Sequence, residues 1–81
     1  MDHALNDLKI YPNPTNGFLN IQSNASIVSV EIMNQLGQLV ISEIDSEGIN
    51  SMNIQQLQQG LYFIKLKGMQ GNSIIKKLIK E

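Results

Sequence analysis

Ile10-Tyr11-Pro12-Asn13-Pro14-Thr15-Asn16-Gly17 is the stretch in which backbone chemistry, and not hydrophobic pattern, sets the path of the chain. Each proline fixes φ at about −65°, removes a backbone donor and pushes the residue before it, here Tyr11 or Asn13, into extended geometry. No helix passes through such a segment. Asn16 and Gly17 tolerate positive φ, so an extended entry strand is expected to meet a tight corner and restart as a second strand. Alone, a Pro-Asn-Pro corner marks a turn and carries no function.

On either side of the corner the pattern has period two. Leu8 and Ile10 alternate with Lys9 and Tyr11 as a short half-buried strand. Leu19 and Ile21 alternate with Phe18, Asn20 and Gln22, which predicts a second strand with the two aliphatics inward and Phe18 covering an edge. After the polar turn Ser23-Asn24-Ala25-Ser26, the run from Ile27 to Met33 sets Val28, Val30 and Ile32 on one face against Ser29 and Glu31. Asn34 to Gly37 fits a hairpin loop with Gly37 at positive φ. The next strand, Gln38 to Ile44, is apolar on both faces at first, and Val40 is the expected inward residue.

Asp45-Ser46-Glu47-Gly48 reads as a turn, and Ile49 to Ile54 as a strand interrupted by Asn50, Ser51 and Asn53. Gln55 to Gly60 is too short for a stable helix, and Leu57 is expected to plug the end of the core. Tyr62, Ile64 and Leu66 then share one side of a sixth strand against Lys65 and Lys67. A loop from Gly68 to Asn72 leads into the last strand, Ser73 to Lys80, whose adjacent pairs Ile74-Ile75 and Leu78-Ile79 call for a bulge or for burial of both faces. Seven short strands without a helical period predict an all-β, immunoglobulin-like antiparallel β-sandwich. The cysteine pair and core tryptophan of antibody domains are absent, so the likeness is architectural.

A chain of 81 residues with no long apolar segment makes one small domain, and no stretch is long enough to cross a membrane as a helix. It has no cysteine and no metal-ligand cluster, so hydrophobic packing must hold it together. Six lysines and seven acids give a net charge of −1, too weak a field to steer the domain to nucleic acid.

Catalytic constellations are missing. The single histidine, His3, lies in the N-terminal tail, where nothing orients it, and no catalysis is expected. Glu43, Asp45 and Glu47 read as a solvated acidic turn, because calcium takes about six to eight oxygens from a shaped loop. Asn24-Ala25-Ser26 reads as turn chemistry despite matching a glycosylation acceptor. Met33, Met52 and Met69 read as gap-fillers or exposed turn residues.

Four parts of the chain stand in a recognisable order. They are Tyr11-Pro12-Asn13-Pro14, the turn Gln35-Leu36-Gly37-Gln38-Leu39-Val40, the run Leu57-Gln58-Gln59-Gly60-Leu61-Tyr62, and the lysine-rich end Lys76-Lys77-Leu78-Ile79-Lys80. Together they resemble the type A C-terminal sorting domain of type IX (Por) secretion system cargo. That family has a YPNP opening, an x-x-G-[QRK]-x-V turn, an L-x-x-G-x-Y entry to a late strand and a lysine-rich last strand. The likeness covers Leu8 to Glu81.

The resemblance implies an immunoglobulin-like fold and a non-catalytic sorting signal that directs a cargo protein across the outer membrane, without a cofactor. The implied partners are an N-terminal cargo domain, the type IX outer-membrane translocon and a sortase-like peptidase that removes the domain. It also implies a monomer that does not insert in the membrane, in the periplasm during transit and then at the outer-membrane surface or secreted with its cargo. Among the matching residues, Pro12, Asn13, Pro14, Gly37, Gly60 and Tyr62 are expected to be scaffold, since glycine and proline serve backbone geometry. Lys77 and Lys80 are the expected recognition contacts on an exposed edge strand, which offers unpaired backbone groups for strand addition.

Residues 1–7 are expected to be a linker remnant or an added tail, and 8–81 the sorting domain, with peptidase cleavage upstream of Leu8. Met1 to Leu5 carries an acid and no apolar core, which is not the pattern of a signal peptide, so the domain is expected to derive from a longer exported protein. The competing expectation is a small carbohydrate-binding or fibronectin-like accessory module of a secreted enzyme. With Tyr62 inward, its aromatic platform falls to Tyr11, Phe18 and Phe63.

Overall fold

A computed structural model describes residues 7–81, and His3 lies outside them. The described chain is all β, with strands β1 (Lys9–Tyr11), β2 (Phe18–Gln22), β3 (Ile27–Met33), β4 (Leu39–Ile44), β5 (Ser51–Asn53), β6 (Gly60–Gly68) and β7 (Ser73–Lys80). They form a three-stranded sheet in the order β1-β2-β5 and a four-stranded sheet in the order β4-β3-β6-β7, every pair antiparallel. This is the expected seven-stranded immunoglobulin-like sandwich.

The core fills from alternate positions on both sheets. Leu19, Ile21, Ile49, Met52 and Ile54 come from the three-stranded side, and Val30, Ile32, Tyr62, Ile64, Leu66 and Leu78 from the other. Leu8 is buried ahead of β1, and Leu57 packs against the end of the core, as the pattern predicts. Tyr62 carries a further signature of this architecture: its hydroxyl donates to the Gln58 carbonyl at 2.7 Å, four residues back at the entry to β6. Immunoglobulin-like sandwiches use this tyrosine corner to fix the crossover between sheets.

Two inward assignments differ from expectation, each for a reason of register. In the pairing of β3 with β6 the register shifts between Ile27 and Ser29, so Ile27 is buried and Val28 is only half-buried. In the pairing of β3 with β4, Ile32 faces Ile41 and Met33 faces Leu39, which leaves Val40 as the extra residue of a bulge. Ile41 therefore packs on the core and Val40 is 40% exposed. Strand β7, by contrast, has neither a bulge nor two buried faces. Its register with β6 runs unbroken from Gly60↔Lys80 to Lys67↔Ser73, and Ile75 and Ile79 face solvent.

Two turns are set by single residues. Gly37 has φ of 81°, in the left-handed region, as expected; the Asn34 side chain braces this hairpin by accepting from the Leu36 and Gln38 amides. At the first corner the positive-φ expectation for Asn16 is not met, since no residue other than glycine has positive φ among those described. Buried Thr15 shapes that turn instead, its hydroxyl donating to the Phe18 carbonyl at 2.7 Å and accepting from the Gly17 amide at 3.2 Å. Gly17 is where β5 exits closest: its carbonyl accepts from Ile54, and a Cβ here would stand 2.5 Å from Gln55 Cγ.

Candidate recognition surface

The Pro-Asn-Pro corner does more than turn the chain. It crosses from the three-stranded sheet and lies along the outer edge of β7. The Asn13 side-chain amide donates to the Lys77 carbonyl at 2.9 Å and accepts from the Ile79 amide at 3.0 Å. Two residues on, the Thr15 amide donates to the Ile79 carbonyl at 2.9 Å and its carbonyl accepts from Glu81 at 2.7 Å, a parallel bridge to Lys80. Asn13 and Thr15 thus form two successive rungs of a parallel ladder, the first built from a side chain that mimics a peptide group. The residues between and before them are prolines, which have no amide proton to leave unsatisfied at this contact.

This places the expected scaffold residues. Pro12, Asn13 and Pro14 close the sandwich at the end of the last strand, Gly37 turns the β3–β4 hairpin, and Tyr62 is the tyrosine corner. Gly60 opens β6 opposite Lys80, with open space where a Cβ would stand. The role of Asn13 was hidden in the sequence because it depends on a partner 64 to 66 residues away.

The two candidate contact lysines fall on opposite faces of β7. Lys77 is exposed. Lys80 is not the exposed edge residue expected of it: with 8% of its surface accessible it points inward beside Leu78, and its ammonium reaches out to donate to the Glu81 backbone oxygen at 3.1 Å. Strict alternation along an unbulged strand separates them, since odd and even residues take opposite faces.

Between β1 and the middle of β7 runs an open groove of about 530 Å³, lined by Leu8, Lys9, Ile10, Tyr11, Asn13, Lys76 and Lys77. On the outer face of the four-stranded sheet, cross-strand neighbours Phe63 and Lys77, Lys65 and Ile75, and Leu61 and Ile79 mix exposed apolar and cationic side chains. Tyr11 and Phe18 lie on the opposite sheet, so Tyr11, Phe18 and Phe63 do not converge on one platform.

The remaining polar motifs are accounted for locally. Asp45 accepts from the Glu47 amide at 2.9 Å in an exposed turn, and no cluster of three metal-ligating side chains occurs among the described residues. The Ala25 amide donates to the Ser23 hydroxyl at 3.2 Å, which is turn chemistry, while the Asn24 amide donates to the Asp7 carboxylate at 3.1 Å and ties this turn to the residue ahead of Leu8.

Residues 9–81 match the family described as the secretion system C-terminal sorting domain. The chain belongs to that family. It is a type IX C-terminal sorting signal. A type IX sorting domain implies attachment to an N-terminal cargo that is secreted or displayed at the outer-membrane surface. No curated protein matches the chain.

Proposed function

We propose that this sorting domain is a folded address read by the outer-membrane translocon during periplasmic transit of its cargo, and that a sortase-like peptidase then removes it by cutting upstream of Leu8. The observation that carries the reading is the family match over nearly the whole domain. Two further features support it. The last strand, where the lysine-rich motif lies, is locked to the first corner, so the address is presented only when both ends of the domain have folded. Residues 1–7 precede the first core residue, Leu8, and act in this reading as the linker a peptidase reaches.

Of the two candidate lysines, Lys77 is the recognition contact in this reading and Lys80 is a scaffold residue, since a receptor reads exposed surface. The test is a fusion of residues 1–81 behind a periplasmic reporter in a type IX host. The expected result is reporter at the cell surface or in the medium, with intact mass showing loss of the domain from Leu8 onward. Reporter retained in the periplasm would overturn the address, and secreted reporter that keeps Leu8 to Glu81 would overturn the removal.

A further inference from the structure

Along β7, Ile79 turns its amide and carbonyl away from β6, toward the corner. In an antiparallel ladder every second residue repeats that orientation, so Lys77, Ile75 and Ser73 also present backbone groups outward. The corner takes the Lys77 carbonyl and stops there. The Lys77 amide and the amide and carbonyl of Ile75 remain without a hydrogen-bond partner among the described residues. The corner is thus a half-length neighbour strand, and among the described residues the row of donors and acceptors it begins continues open toward Ser73.

At Lys76 and Lys77 that open half meets the groove of about 530 Å³ against β1. Three of the chain's six lysines, Lys9, Lys76 and Lys77, line it, and among the described residues no Asp or Glu does, in a chain whose net charge is −1. Ile10 and Tyr11 supply apolar surface between them. Backbone groups give affinity to an added strand, while the side chains beside it select its sequence. Here the flanking charge selects carboxylates. A second copy adding through its own β7 would bring the same lysines together, and like charges across a ladder oppose pairing.

We propose that the groove between β1 and the open half of β7 binds an extended acidic segment of a partner protein as an added strand. The segment bonds to the backbone of Ile75 and Lys77, and its carboxylates face Lys9, Lys76 and Lys77. The biological meaning of this site rests on the reading of the domain as a recognised address; the binding itself does not.

The experiment titrates the folded domain with a labelled peptide of repeating Glu-Glu-Val-Val, which offers carboxylates to both faces of the edge, with a Lys-Lys-Val-Val peptide as control. The acidic peptide is expected to bind, and to slow hydrogen exchange at the Ile75 and Lys77 amides. Lys9→Gln, Lys76→Gln and Lys77→Gln together should weaken it about tenfold at low salt. Ile75→Pro, which removes an outward amide at an edge position where proline is tolerated, should abolish it. Circular dichroism checks that each variant folds, and the lysine variant keeps the test intact should Ile75→Pro unfold. Absence of binding, equal binding of the control peptide, binding that Ile75→Pro leaves unchanged in a folded protein, or occupation of the edge by a second copy each overturns the proposal. None of these outcomes bears on the cargo fusion, which tests the address separately.

Discussion

The four-stranded sheet has two edge strands, and they are built on opposite terms. Strand β7 pairs with β6 in unbroken register, buries Leu78 completely and is stitched to the Pro-Asn-Pro corner by four hydrogen bonds. Strand β4 is bulged at Val40, exposes five of its six residues, and holds the core only through half-buried Ile41. The difference teaches where the fold spends its specificity. An edge is a hazard that a protein either covers or breaks up, and this domain covers the C-terminal half of the one that carries its lysine-rich motif and distorts the other with a bulge.

The widest gap between the edges is expected in core truncation. Leu78→Ala should cost about 2–5 kcal/mol, the range for a fully buried leucine, because the unbulged strand is pinned on both sides and cannot collapse into the space. Ile41→Ala, at a half-buried site on a bulged edge, should cost about half as much or less. Urea unfolding of the two variants measures both. Equal losses would mean that β4 is as firmly held as β7 and would end the contrast.

A smaller effect is expected at the hairpin that feeds β4. Gly37 sits at φ of 81°, so Gly37→Ala forces a left-handed alanine and should cost about 1–2 kcal/mol. No atom lies within 4 Å of the added Cβ, so the loss isolates backbone strain from packing. A shift in thermal midpoint confined to noise would show that the hairpin relaxes into another turn, which the bulge next to it makes room for.

These contrasts also show what was legible beforehand. Alternation along β2 and β6 predicted the inward residues, because neither strand carries an extra residue in its pairings. Alternation failed at Val28 in β3 and at Val40 in β4, where one extra residue reverses the face and no single-residue signal marks it. In β7 the adjacent aliphatic pairs suggested a distorted strand, whereas the strand is regular and its second aliphatics cover the outer face. Asn13 and Lys80 were the least legible. The work of Asn13 is done on backbone atoms at the far end of the chain, and Lys80 has a buried stem with a polar tip that composition reads only as charge.

The corner itself is tested by Asn13→Ala. The side chain makes two hydrogen bonds at an exposed edge, so water replaces it and the net loss is about 1 kcal/mol. Its local signature is sharper than its global one: the Ile79 amide should exchange with solvent faster, while amides in β3 keep their protection. Uniform acceleration across the sheet would mean that the corner governs global stability and not the edge.

The smallest expected change in stability bears most on function. Lys77 is exposed and faces Phe63 across the ladder, so Lys77→Gln should alter stability by less than about 0.5 kcal/mol. Lys80→Gln is no companion to it, because it alters a buried stem and the bond its ammonium makes to Glu81. In the cargo fusion the two variants therefore separate recognition from folding. Should Lys77→Gln fold with the wild-type midpoint and leave its reporter periplasmic, the covered edge presents a contact that the export machinery reads. Should it secrete normally while Lys80→Gln lowers both midpoint and export, the lysine-rich motif acts through the integrity of the last strand, and β7 differs from β4 in stability alone.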